Sequence, residues 1–206
     1  MRPHSFGKIV AGFALLLCVM PNVVMAREGW HLIGSVDGGL AAAFMQGFVH
    51  PLTGLDHLLV MLSVGVWSAQ TARRVWLAPL AFALMLLVGA SAGMAGVSMS
   101  AAEWLVAVSV VALGLLVAGR VQLPASMGVG FVGGFAFFHG ITHGIEFGTL
   151  HGAAQYAILA GMLLCTMFLH MAGILVGRLL QQSRRISRGV GIAVALLGGS
   201  LLLQAI

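Results

Sequence analysis

Two short stretches of the chain carry side chains that could hold a metal ion. One is His50-Pro51-Leu52-Thr53-Gly54-Leu55-Asp56-His57, and the other is Phe138-His139-Gly140-Ile141-Thr142-His143-Gly144-Ile145-Glu146. Together they offer four imidazoles and two carboxylates, a nitrogen and oxygen donor set that suits nickel, cobalt, zinc or divalent iron. Neither holds a thiolate, which argues against copper(I) and soft-metal handling. On a regular helix His139, His143 and Glu146 fall at i, i+4 and i+7, one stripe about two turns long. His50 and His57 would share a face on a continuous helix, but Pro51 and Gly54 argue against continuity. A break has its own use, because unwound carbonyls and a half-helix end inside a membrane can help to coordinate an ion. The same residue types also build proton relays, or pair simply to stabilise a bundle. Imidazoles ligate only when neutral, so transport through such a site is expected to fall as pH drops through their pKa.

Weaker candidates lie outside these stretches. Glu103 opens the third apolar block and would sit at a membrane interface or at the mouth of a pathway. His31 and Asp37 precede the first block, where they could capture metal or simply face solvent. His151 falls in a short loop and is a candidate vestibule ligand. His170 lies deep in the fifth block beside Thr166 and Met167, and joins the site if that helix faces the two stretches. The 12 methionines are read as packing residues.

The elements that must position these groups are apolar helices. Of 206 residues, 60% are hydrophobic and 7% charged, and the mean hydropathy is +1.07; a soluble domain needs more polar surface than that. The hydrophobicity comes in blocks of about 20 residues, long enough to cross ~30 Å of hydrocarbon at ~1.5 Å per residue. Each ionisable group inside such a block costs roughly 2.5–3.5 kcal/mol at mid-span, so each needs an account. The basic pI of 10.7 does not point to nucleic acid, because the arginines sit between apolar blocks and act topologically.

Residues 1–26, with Arg2 and Lys8 ahead of an apolar run, then Pro21 and Val24-Met25-Ala26, read as a cleavable signal peptide. Cleavage leaves Cys165 as the remaining cysteine, a small buried hydrophobe with no partner for a disulfide. Residues 27–206 then form a single transmembrane domain: an all-α polytopic bundle of six spans at about 38–69, 75–96, 102–119, 124–147, 153–178 and 188–206. The first span is broken near Pro51 and Gly54 into a short helix and a longer one. Arg73, Arg74, Arg120, Arg178, Arg184, Arg185 and Arg188 fall in the loops after spans one, three and five, while 97–101 and 148–152 hold no Lys or Arg. Those basic loops are expected in the cytoplasm and both mature termini in the periplasm. Glycine pairs four apart, Gly89/Gly93, Gly130/Gly134, Gly140/Gly144 and Gly173/Gly177, are expected to let helices pack closely.

At the two polar stretches the sequence resembles the HupE/UreJ family of nickel permeases associated with hydrogenase and urease gene clusters. That family's first signature, a His, five residues, then Asp-His, is similar to His50 through Asp56-His57. The other signature of the family resembles the stretch from Phe138 to Glu146. Resemblance continues over most of the chain, including the signal peptide, Glu103 and Thr166-Met167-Phe168-Leu169-His170. It implies import of a divalent transition metal, Ni2+ or alternatively Co2+, across the bacterial inner membrane for hydrogenase or urease maturation. His50, Asp56, His57, His139, His143 and Glu146 would be the residues required, with no permanently bound cofactor. The implied partners are the ion and the lipid bilayer, with a homo-oligomer left open. No Walker A motif occurs, so the chain shows no ATPase module of its own. Rival readings are a membrane metalloenzyme, although His-Glu-x-x-His is missing, and an accessory metal-binding protein without transport.

Overall fold

The computed structural model describes residues 39–204 apart from 72, 100, 101, 149 and 151, and without the side chains of 102 and 103. The signal-peptide segment 1–26 and the leader that follows it lie outside the described residues. Seven helices and no strand are found among the described residues: α1 (Gly39–Thr53), α2 (Leu55–Thr71), α3 (Leu77–Met94), α4 (Ala102–Gly119), α5 (Ala125–Phe147), α6 (Ala153–Leu180) and α7 (Arg184–Gln204). Helices α3, α5, α6 and α7 are each long and apolar enough to cross a membrane. The pair α1 and α2 passes together as one segment bent by 81°, and α4 contains a shorter apolar helix, Trp104–Gly119. This is a multi-pass, all-helical membrane protein.

The expected break in the first span is present and sharp. Pro51 lies inside the last turn of α1, where it cannot donate to the helix ladder, and Gly54 is the single non-helical residue between α1 and α2. Beyond it every residue from 58 to 69 is buried, as suits a helix that is apolar on all sides. Helix α2 is therefore the centre of the bundle, and both α1 and α2 lie along the 28-residue α6. Around them α3 pairs with α5, and α4 with α7.

Each of these pairings meets backbone to backbone at glycine. A Cβ on Gly89 would run into the Phe137 carbonyl, and one on Gly140 into that of Leu86, joining α3 to α5. Gly65 faces the His170 carbonyl, and Gly173 that of Leu62, joining α2 to α6. Gly47 and Gly161 do the same for α1 on α6, as Gly114 and Gly191 do for α4 on α7. Lipid gives helices no hydrophobic reason to associate, so close van der Waals approach at small residues supplies it. The pair Gly130/Gly134 is a correction: a Cβ at either would meet nothing within 4 Å, so that face of α5 packs against no helix.

The arginine-bearing connections gather at one end of the bundle. Trp67 donates to the Val121 carbonyl (2.8 Å), Gln70 to Ser187 Oγ (2.9 Å), and Gln181 to the Ala69 carbonyl, which ties the C-terminal part of α2 to the ends of α4 and α6 and to the start of α7. Arg120 closes α4 with φ of +49° and donates from Nη2 to the Leu180 carbonyl at 2.5 Å, covering one of the orphan acceptors at the end of α6. Helix α7 begins earlier than expected, so Arg184, Arg185 and Arg188 lie in its first two turns rather than in a loop.

The glycine contacts make a direct prediction. Gly140→Val should lower the thermal unfolding midpoint of the detergent-purified protein, because overpacking costs at least ~1–3 kcal/mol of stability. Gly134→Ala should leave that midpoint unchanged or raise it.

Candidate metal centre

The bend at Gly54 leaves His50 in the last turn of α1 and His57 in the first turn of α2. Asp56 is also in that first turn, where a helix N-terminus favours a carboxylate. Its Oδ1 accepts from the His57 backbone N–H (2.9 Å) and from the His57 Nδ1–H (2.6 Å). Gly54 is what lets this pair curl back on the break, since a Cβ there would lie 2.6 Å from His57 Nδ1 and 2.8 Å from Asp56 Oδ1. Thr53 donates its hydroxyl to the His50 carbonyl at 2.7 Å, and the Leu58 N–H reaches the Gly54 carbonyl at 3.0 Å. Side chains and the new helix thus take up backbone groups that the break releases.

Opposite the bend stands α5, whose His143 meets both α1 and α2. His50 Nε2 lies 3.0 Å from His143 Nδ1, and His57 Nε2 lies 2.8 Å from His143 Nε2. One tautomer set satisfies the whole chain with neutral rings. His57 donates to Asp56 and so accepts at Nε2, His143 donates to it from Nε2–H, and His50 donates to His143 Nδ1. A neutral imidazole held by a carboxylate at one nitrogen presents the other as a ligand, the arrangement common around bound metals.

Ligand atoms of His50, His57 and His143, one from each ring, lie within 4.8 Å of one another. Bonds of about 2.1 Å from one ion to imidazole nitrogens need donor atoms no more than about 4.2 Å apart, so the three rings would draw together on an ion. Glu146 Oε2 is 3.6 Å from His143 Nδ1, with the Glu146 side chain half exposed and that of His143 almost wholly buried. The cluster therefore runs from an open acidic edge at Glu146 to a buried interior. Phe147, next to Glu146 on α5, is buried and stacks on His143 (centroids 5.8 Å apart, 14° between planes) while meeting His50 edge-on.

The sequence has counterparts among known proteins. The family model described as HupE / UreJ protein matches residues 15–201. The chain belongs to the HupE/UreJ family. Protein HupE of Rhizobium leguminosarum bv. viciae is 37% identical over 201 residues, which cover 96% of this chain and 98% of that protein. No solved structure matches.

Of the six principal residues singled out in this HupE/UreJ chain, the structure gathers His50, His57 and His143 into one cluster, with Asp56 and Glu146 in contact with it. His139 is set apart from the three-imidazole group: its ring touches that of His57 (centroids 4.5 Å), it is fully buried, and neither of its nitrogens has a hydrogen-bond partner. His170 is likewise buried, bonded through Nδ1 to the Met61 carbonyl at 2.8 Å, and outside the cluster. His31, Asp37 and His151 lie outside the described residues, as does the side chain of Glu103. Three contributors are additional. Phe147 is four residues after His143 on the same helical face, a spacing the sequence displays. Gly54 contributes by its lack of a side chain. Phe82 of α3 packs edge-on to His170 and tilts against His139, and no pattern in its own apolar helix marks it.

If Asp56 holds His57 for an ion, Asp56→Asn should weaken nickel binding to the purified protein by roughly 10–100-fold, the usual effect of losing such a partner. Gly54→Ala should weaken it as well by displacing the pair. Unchanged affinity in both variants would separate the Asp56–His57 pair from metal binding.

Proposed function

We propose that this chain is a secondary permease that imports a divalent transition metal across the bacterial inner membrane, Ni2+ in the first place and Co2+ as the alternative. The HupE/UreJ family is associated with uptake of these metals for hydrogenase or urease, and the ion here would supply a metalloenzyme of that kind. The observation that carries the proposal is the convergence of His50, His57 and His143 from both sides of a broken membrane segment and from a facing helix. Two carboxylates at the edge, Asp56 and Glu146, would draw a hydrated cation toward neutral imidazoles. Such donors bind a borderline divalent ion yet release it, as conduction requires.

The arginine-bearing end would face the cytoplasm, which puts both mature termini in the periplasm and lets the ion arrive at the opposite end. Hydrated metal would exchange waters for the imidazoles, one from each element, and leave toward the arginine end as the helices around the break shift. The six principal residues would bind and pass the ion and perform no covalent chemistry, so the chain would be a carrier and not an enzyme.

Radiolabelled nickel uptake in a host without its own high-affinity system tests the proposal. Wild type should accumulate nickel from trace concentrations, with cobalt competing, while His57→Ala and His143→Ala at matched membrane levels should not. A wild-type chain that gives no uptake would point instead to an accessory metal-binding role.

A further inference from the structure

Among the described residues, the buried side-chain atoms without a hydrogen-bond partner are concentrated. Apart from Gln70 Oε1 at the arginine end, they are His139 Nδ1 and Nε2, His170 Nε2 and Thr166 Oγ1. All three of these residues are wholly buried. Native interiors seldom leave such groups unpaired without a reason.

Thr166 departs from the habit of its own kind. Thr53, Thr71 and Thr142 each turn the hydroxyl back onto a carbonyl of their own helix, the usual resort of a helical threonine. Thr166 makes no such bond. It stands four residues before His170, on the same face of α6. His170 is fixed as its neighbour is not: Nδ1–H donates to the Met61 carbonyl of α2 at 2.8 Å, which leaves the Nε2 lone pair as the open position. A histidine tied to a carbonyl at one nitrogen and open at the other is oriented as a metal ligand is.

The two histidines share a neighbour. The Phe82 ring meets His170 at 5.0 Å between centroids, nearly perpendicular, and His139 at 6.0 Å, so both imidazoles border one phenyl ring. They also lie together along the bundle. Met61 is one turn beyond His57 on α2, and His139 is one turn before His143 on α5. Both steps lead toward the arginine-bearing end, by about 5.4 Å each.

We propose that His139, His170 and Thr166 form a second, inner cation position, which receives the ion from the His50–His57–His143 cluster and passes it toward the arginine end. His139, whose ring touches that of His57, is the bridge between the two positions. The inner position offers two imidazoles and a hydroxyl without a carboxylate of its own, so it binds more weakly than the outer cluster, and weak, multiple sites favour release. It rests on the permease reading and extends it to a second station on the same route.

The test uses the purified full-length chain in lipid nanodiscs with Ni2+ alone as the probe. His57→Ala, which disables the outer cluster, should keep weak nickel binding. Adding His170→Gln or Thr166→Val should abolish that remainder. Glutamine at 170 can still donate to the Met61 carbonyl, so the variant keeps the helix contact, and a monodisperse elution profile confirms it. By itself, His170→Gln should leave the tighter outer binding intact while lowering cellular uptake at limiting nickel several-fold, a split that a merely structural role would not produce. Residual binding indifferent to both substitutions, or wild-type uptake by His170→Gln, overturns the inner position and leaves the permease standing. A wild type that binds no nickel at all overturns both.

Discussion

A helix that stops within a membrane segment releases backbone groups that must find partners inside the protein, and this chain stops one at Gly54 and restarts it at a bend of 81°. The cost is met locally. The Thr53 hydroxyl takes the His50 carbonyl, Asp56 takes the His57 N–H, and the Leu58 N–H returns to the Gly54 carbonyl. The groups that make the break tolerable are thus interleaved with those that form the site. His50 ends one helix and His57 begins the next, so the bend turns both rings toward α5.

That arrangement holds only if α5 and α6 are brought close enough to use it. Gly140 and Gly144 seat α5 on α3, while Gly161, Gly173 and Gly177 let α6 carry both α1 and α2. With backbones in contact, no large side chain separates His143 from the bend or His170 from Met61. The opposite end is closed by polar contacts from Arg120, Gln70 and Gln181. One end of the bundle is therefore pinned, while the break and the half-exposed Glu146 sit toward the other. A carrier that must open and close around an ion gains from such an unequal distribution of restraints.

Much of this is legible in the sequence because membrane physics makes it so. Charged and imidazole side chains are conspicuous in apolar blocks, and Pro51 with Gly54 marks the break that the structure displays. The i, i+4 relation of His139 and His143 places both on one stripe of α5, but their different partners are invisible from that helix alone. His143 faces α1 and α2, whereas His139 lies one turn deeper beside His57 and Phe82. Which glycines pack is equally a matter of neighbours. Gly140/Gly144 and Gly130/Gly134 have the same spacing on one helix, yet only the first pair meets another backbone. Gly54 reads in the sequence as a helix breaker, and its other role, making room for Asp56 against His57, emerges only in three dimensions.

The proposed binding of one ion by imidazoles from both sides of the break and from α5 is open to measurement. Nickel X-ray absorption on the purified, loaded protein addresses it most directly, because multiple scattering from imidazole rings counts the histidines around the metal. Binding at this cluster predicts, with one equivalent of nickel, a nitrogen and oxygen shell with about three imidazoles, and a lower imidazole count in His50→Ala and in His143→Ala. A shell containing sulfur, or one with an imidazole count unaltered by those substitutions, would contradict it.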